Sequence, residues 1–213
     1  MRLISTFLLI LISTLTYGQE AQKAKKLLDE VSTKVGSYKN ISIDFRYTIK
    51  NLRESIDQDS RGDVTIRGDK YVSNFLGTTE LFDGAKKYTI IPEDEEITIE
   101  SYNPKKDNVF SPSKVLTFYN KGYNYSWDKL LLISGKRVQF VKLVPTDSKS
   151  ETKEILLGID SLTKNIYQII QISKDGTRSE LSIISFKTNQ ALSENHFIFV
   201  ENKYPNYYIN RLD

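Results

Sequence analysis

The 213-residue chain has no cysteine, one histidine and nearly balanced charge, 30 Lys and Arg against 27 Asp and Glu. Thiol chemistry, a disulfide framework, nucleophilic triads and His-rich zinc sites therefore have almost no raw material. The charges are mixed along the chain and not blocked, which excludes the basic stripe of a nucleic-acid or anionic-membrane binder.

The first residues carry an export pattern. Arg2 forms a positive start, Leu3 to Ile12 an apolar run broken only by Ser5 and Thr6, and Thr16-Tyr17-Gly18 a cleavage site before Gln19. Roughly 10 apolar residues fall short of the ~20 that span a bilayer, so residues 1–18 are read as a signal peptide and not as an anchor or a buried helix. Residues 19–213 contain no linker, repeat or composition break and are read as one domain. Lacking a cysteine to acylate, the exported chain is expected to be periplasmic and not lipid-anchored.

Ala24, Leu27, Leu28, Val31 and Val35 then recur at helical spacing, with Gly36 placed to stop the helix. The period changes to two at Ile41, where Ile43, Phe45, Tyr47 and Ile49 alternate with polar residues, predicting a half-buried strand. A second strand over 59–67, a turn at Gly68-Asp69 and a third strand over 70–76 follow. Further turns are signalled at Asp83-Gly84, 92–95, Gly135 and 147–150. Asp175-Gly176 suits a two-residue hairpin between strands at 166–173 and 178–186. Ser111-Pro112 before Val115, Leu116, Phe118 and Tyr119 reads as a short apolar helix inserted between strands. The fold class is mainly β: about 11 antiparallel strands in a strongly curved sheet or incomplete β-barrel, with an N-terminal helix and a short lid helix.

Little of this points to catalysis. His196, between Asn195 and Phe197, reads as a polar residue on the outward face of a strand. The acidic run Glu93-Asp94-Glu95-Glu96 follows Pro92 in a turn; it is either a solvated hairpin tip or a weak calcium site, and lacks EF-hand spacing. No glycine-rich phosphate loop or G-x-S-x-G elbow occurs. No enzymatic activity, metal or cofactor is expected. What the chain holds in excess is large apolar side chains at alternate strand positions, among them Phe45, Tyr47, Phe75, Phe140 and Phe186. These are either a β core or, in a sheet too curved to fill itself, the wall of a cavity for an apolar ligand.

The order of signal, helix, alternating strand, hairpins and Ser-Pro helix resembles the LolA family of periplasmic lipoprotein carriers. The matching residues are Gly62-Asp63-Val64-Thr65-Ile66-Arg67, Asp83-Gly84, Ser111-Pro112, Asp175-Gly176, Phe197-Ile198-Phe199 on a terminal strand, and Tyr204-Pro205-Asn206. The resemblance implies a soluble, monomeric chaperone that takes lipoprotein acyl chains from an inner-membrane releasing complex to an outer-membrane acceptor. On that pattern Phe45, Tyr47, Val64, Ile66 and Phe75 would line the cavity, and Val115, Leu116, Phe118 and Tyr119 would form a lid competing with the ligand. The family carries an Arg-Pro pair whose arginine latches the lid; here the stretch is Arg67-Gly68-Asp69. Arg67 is either that latch or a charged residue before a tight turn, and a displacement by one position reverses its face. Two other readings stay open: a carrier of free lipid or glycolipid on the same fold, and an exported adhesion or interaction module.

Overall fold

The computed structural model describes residues 2–102 and 112–212, with side chains for 19–102 and 114–212. Helix α1 (Arg2–Ser37) leads into strands β1 (Ile41–Asn51), β2 (Ile56–Arg67), β3 (Lys70–Phe75), β4 (Thr78–Phe82), β5 (Lys86–Ile91) and β6 (Glu96–Ser101). Helix α2 (Pro112–Val115) and a 3-10 turn (Phe118–Asn120) precede β7 (Tyr123–Ile133), β8 (Lys136–Pro145), β9 (Thr152–Asp160), β10 (Ile166–Ser173) and β11 (Arg178–Thr188). A second 3-10 turn (Glu201–Lys203) leads to β12 (Tyr208–Leu212).

Hydrogen bonds join the strands in the order β12-β6-β5-β4-β3-β2-β1-β11-β10-β9-β8-β7. The hairpin pairs are antiparallel, whereas β12 lies parallel to β6, with Ile209 beside Ile97. The order ends at β12 on one side and β7 on the other, and among the described residues no strand pairing joins these ends, so the sheet is open and not closed into a barrel. The mainly β, unclosed architecture expected from the alternating pattern is therefore present, with twelve strands. Among the described residues no helix is long and apolar enough to cross a membrane.

The chain divides into two compact units. The first comprises Met1–Gly36, Lys50–Ile56 and Tyr119–Glu180. Its helix buries Ala24, Leu27, Leu28 and Val31, the stripe that the 3.6-residue period predicts. Polar contacts fix that helix in place: Lys23 Nζ lies 4.1 Å from the centre of the Trp127 ring, Ser32 donates to the Tyr119 hydroxyl at 3.1 Å, and Glu30 pairs with Lys164 at 3.7 Å. Strands β8 and β9 are buried on both faces, so Val138, Phe140, Val141, Leu143, Leu157 and Ile159 read as a nearly continuous apolar run. Gly158 makes room within it, since a Cβ there would lie 3.0 Å from both Phe140 and Val138.

The second unit comprises Ser37–Ile49, Asp57–Phe118 and Leu181–Asp213. One sheet face carries Ile41, Ile43, Phe45, Val64, Ile66 and Tyr71, all buried. The opposite face carries Ile90, Ile97 and Ile99, over which Phe199, Tyr204, Tyr207 and Ile209 pack. Phe199 is stacked between Tyr88 at 4.5 Å and Tyr204 at 5.6 Å, so the segment after β11 acts as an aromatic strap across this face.

Three local expectations are corrected. The helix anticipated from Ala24 runs back to Arg2, because between Leu3 and Gln19 only Gly18 is a strong helix breaker. Phe197-Ile198-Phe199 is not a strand: Ile198 N–H donates back to the Asn195 carbonyl at 3.1 Å, and the terminal strand is Tyr208–Leu212. For the same reason His196 lies in a turn, with its Nε2 buried and without a hydrogen-bond partner among the described residues.

Candidate functional site

The site grows out of a mismatch in strand length within the second unit. Pairing of β2 with β3 runs from Arg67 opposite Lys70 to Gly62 opposite Phe75 and stops there, while β2 continues back to Ile56. The chain turns at Leu76-Gly77 and returns as β4, so the overhanging part of β2 and the β3–β4 turn enclose a wide-mouthed notch of about 660 Å³. That volume lies within the roughly 300–1,000 Å³ of sites that hold one small molecule. Phe45, Gly62, Phe75, Leu76, Thr78 and Ile184 contribute to its wall, with Asp44, Arg61, Asp63, Asn74, Gly77 and Thr79.

The turn is itself unusual. Leu76 and Gly77 both have positive φ, 51° and 77°, the backbone of a two-residue hairpin that favours Asn-Gly. Leucine in this conformation costs roughly 1–2 kcal/mol, because its Cβ crowds the following carbonyl. The side chain gains no burial in return, being 69% exposed, and Ile184 across the notch is 57% exposed. Two large apolar groups thus stand in water at the mouth of a cavity, one of them at a conformational cost.

Aromatic rings back the notch. The Phe45 and Phe75 rings meet at 5.5 Å, and Tyr47 contacts Phe75 edge-on at 5.7 Å. Phe45 also occupies the space that a side chain on Gly62 would need: a Cβ there would fall 2.6 Å from the Phe45 ring. Of the wall residues anticipated from sequence, Phe45 and Phe75 therefore line the notch and Tyr47 supports it. Val64 and Ile66 continue the same sheet face but are buried at 7% and 5% exposure, filling the core.

The opposite face of β1 and β2 is polar. Ser42 and Thr65 hydroxyls bond across the strands at 3.1 Å, and Arg46 donates from Nε to Asp59 at 2.7 Å. Between these two satisfied pairs stand Asp44 and Arg61, both exposed, both lining the notch, and neither with a protein partner among the described residues. Asp63 is held by the Asn74 amide at 2.9 Å, and Asn74 in turn accepts from the Thr79 hydroxyl at 2.7 Å. Sequence inspection had not singled out Asp44, Arg61, Leu76 or Ile184. The one available signal was Leu-Gly where a tight hairpin prefers Asn-Gly.

The anticipated lid residues divide. Leu116 is buried next to α2, which lies against β3, and Val115 and Phe118 are half-buried in the same unit. Tyr119 belongs to the first unit, fully buried, its hydroxyl bonded to Ser32 and its carbonyl accepting from Tyr125 at 2.9 Å. Burial pushes the Tyr119 hydroxyl pKa up. The predicted cap Ser111 lies outside the described residues. Arg67 sits one position past Ile66 and so faces away from the Val64–Ile66 wall; its guanidinium lies 4.8 Å from the centre of the Phe197 ring, on the strap side. Among the described residues no group of three His, Cys, Asp or Glu is placed to hold a metal ion, and the Glu93–Glu96 run sits at the β5–β6 hairpin.

Residues 13–175 match the family of the outer membrane lipoprotein carrier protein LolA. The chain belongs to that family. No curated protein matches it. An uncharacterised conserved protein from Thermus thermophilus shares its fold, with a TM-score of 0.56 at 11% identity over 89% of this chain and 99% of the other. An outer-membrane lipoprotein-sorting domain from Vibrio parahaemolyticus gives 0.46 at 15% identity over 84% and 97%. A LolA superfamily protein from Nitrosomonas europaea gives 0.42 at 11% over 83% and 97%. The membership expected from the order of the motifs is thereby met.

Proposed function

We propose that this protein is an exported, non-enzymatic carrier that shields lipoprotein acyl chains during passage from the inner to the outer membrane. Residues 1–18 act as a cleaved signal, and the mature chain works in the periplasm without a lipid anchor. The observation that carries this reading is Leu76, an apolar side chain kept exposed in a costly backbone conformation at the mouth of a cavity backed by Phe45 and Phe75. Family membership agrees with it.

The energetic need is plain. Each methylene buried contributes about 0.8 kcal/mol, so an acyl chain of ~16 carbons has on the order of 10 kcal/mol to gain from leaving water. A carrier must match that and still let go, which favours protein side chains that compete with the ligand. Val115, Leu116 and Phe118, which belong to the same unit as the notch, are assigned that lid role, with Phe45, Tyr47 and Phe75 as wall. The releasing complex of the inner membrane and an acceptor at the outer membrane are the partners.

Incubating the purified protein with inner-membrane vesicles loaded with an acylated lipoprotein is expected to yield a soluble one-to-one complex. Failure with several native lipoproteins overturns the assignment. A second reading, a carrier of free lipid, is favoured by the charged groups at the notch. Native mass spectrometry of protein extracted from its host separates the two, since a bound lipid without polypeptide supports the second.

A further inference from the structure

We infer that the notch between the overhanging end of β2 and the Leu76-Gly77 turn recognises the headgroup of a zwitterionic lipid, one carrying both a phosphate and an ammonium group. The inference rests on the lipid-carrier reading above and adds the chemistry of the head to that of the chain. Its first support is the contrast along one face of β1 and β2. Ser42 is bonded to Thr65 and Arg46 to Asp59, yet Asp44 and Arg61, placed between them, are left without protein partners among the described residues. Strand geometry brings cross-strand side chains close enough to pair, so two opposite charges left open in one notch are available to a ligand.

The second support is the sum of charges. Asp44 and Asp63 against Arg61 disfavour a purely anionic head, while Arg61 disfavours a purely cationic one. A neutral head leaves both signs unanswered. A phosphate beside Arg61 with an ammonium a few bonds away beside Asp44 answers both at once. The third support is position: Leu76 and Ile184, exposed at the same mouth, give the first methylenes of the chain an apolar surface directly next to the charged groups.

Titration calorimetry on the full mature chain tests this with lysophosphatidylethanolamine, lysophosphatidylglycerol and monoacylglycerol of one chain length, all below their micelle concentrations. Because exposed ion pairs contribute modestly, the zwitterionic lipid is expected to bind about fivefold more tightly than either of the others. Arg61→Gln and Asp44→Asn are each expected to bring the three affinities to within about twofold of one another, read as the ratio between probes; both side chains are exposed, so folding is not at stake. Soluble phosphoethanolamine, lacking a chain, is expected to bind too weakly to detect. Equal affinity for all three lipids overturns the headgroup inference and leaves the carrier reading standing. Tight binding of phosphoethanolamine alone overturns the lipid as the source of the head. Absence of binding by every chain-bearing probe overturns both readings.

Discussion

The Phe45 ring lies over Gly62 so closely that a Cβ at residue 62 would sit 2.6 Å from its Cζ and 2.7 Å from the Asn74 carbonyl oxygen. An aromatic ring covering a strand glycine fills the space that the missing side chain leaves, and here it also sets one wall of the notch. Gly62→Ala must displace both a ring and a neighbouring backbone. The loss is expected to be about 2–3 kcal/mol, in the range of core overpacking. Gly158→Ala, where the obstacles are side chains at 3.0 Å, is expected to cost less. Urea unfolding of the two variants in parallel gives the order.

Leu76→Asn should move stability and function in opposite directions. Asparagine tolerates the left-handed backbone of the turn, so the denaturation midpoint is expected to rise by an amount equivalent to about 1 kcal/mol. Removing the apolar group at the mouth should weaken acyl-chain binding at the same time. A variant that is more stable and binds equally well removes Leu76 from the site.

Asp160 provides a pH signature. It is 6% exposed; burial alone raises its pKa, but the N–H groups of Thr163 and Leu162, the Thr163 hydroxyl and the Lys136 ammonium together lower it below the ordinary 3.8. A carboxyl whose folded-state pKa is depressed stabilises the fold above its unfolded pKa and loses that contribution as pH falls through the folded value. Asp160→Asn keeps an acceptor for the turn but not the charge. The stability gap between wild type and Asp160→Asn is therefore expected to be constant near neutrality and to close below about pH 4, as read from denaturant midpoints over a pH series.

His196 Nε2 is buried in the strap without a hydrogen-bond partner among the described residues. A polar atom in that position costs on the order of 1–3 kcal/mol relative to one that is satisfied. Replacing the ring by leucine is expected to leave stability unchanged or raise it by about 1 kcal/mol, measured by thermal unfolding. A large loss would show that the imidazole has a partner in solution.

Arg67 separates two views of the strap. With its guanidinium over Phe197, Arg67→Gln is expected to cost about 0.5–1 kcal/mol, the range of exposed cation–π contacts, and to leave lipid affinity unaltered. A selective change in binding with no change in stability restores the latch assignment suggested by family resemblance.

Much of the fold was legible because it follows local rules. Ile166–Ser173 is a strand at the residues where the Asp175-Gly176 turn signal places it, and Asp83 and Asp175 cap their turns by accepting N–H bonds from Lys86 and Thr177 at 2.8 Å. The strap was not legible. Phe197-Ile198-Phe199 alternates like a strand, but Phe199 packs onto a sheet face, Phe197 is buried with the Arg67 guanidinium over its ring, and the backbone bonds within its own turns. Nor does hairpin logic anticipate a parallel final strand, whose partner lies more than a hundred residues earlier. Within the notch, Phe45 and Phe75 were found as apolar strand positions. Asp44 and Arg61 were not, since only strand pairing reveals which charged residues are left without partners.

The pairing of β12 with β6 imposes an order on synthesis. Until residues 199–209 have emerged, Ile90, Ile97 and Ile99 lack the cover of Phe199, Tyr204 and Tyr207, and β6 offers an open edge to any strand it meets. A nascent chain stalled short of Tyr204 would thus present a wet apolar face, making the interval before this region is complete the period of greatest aggregation hazard.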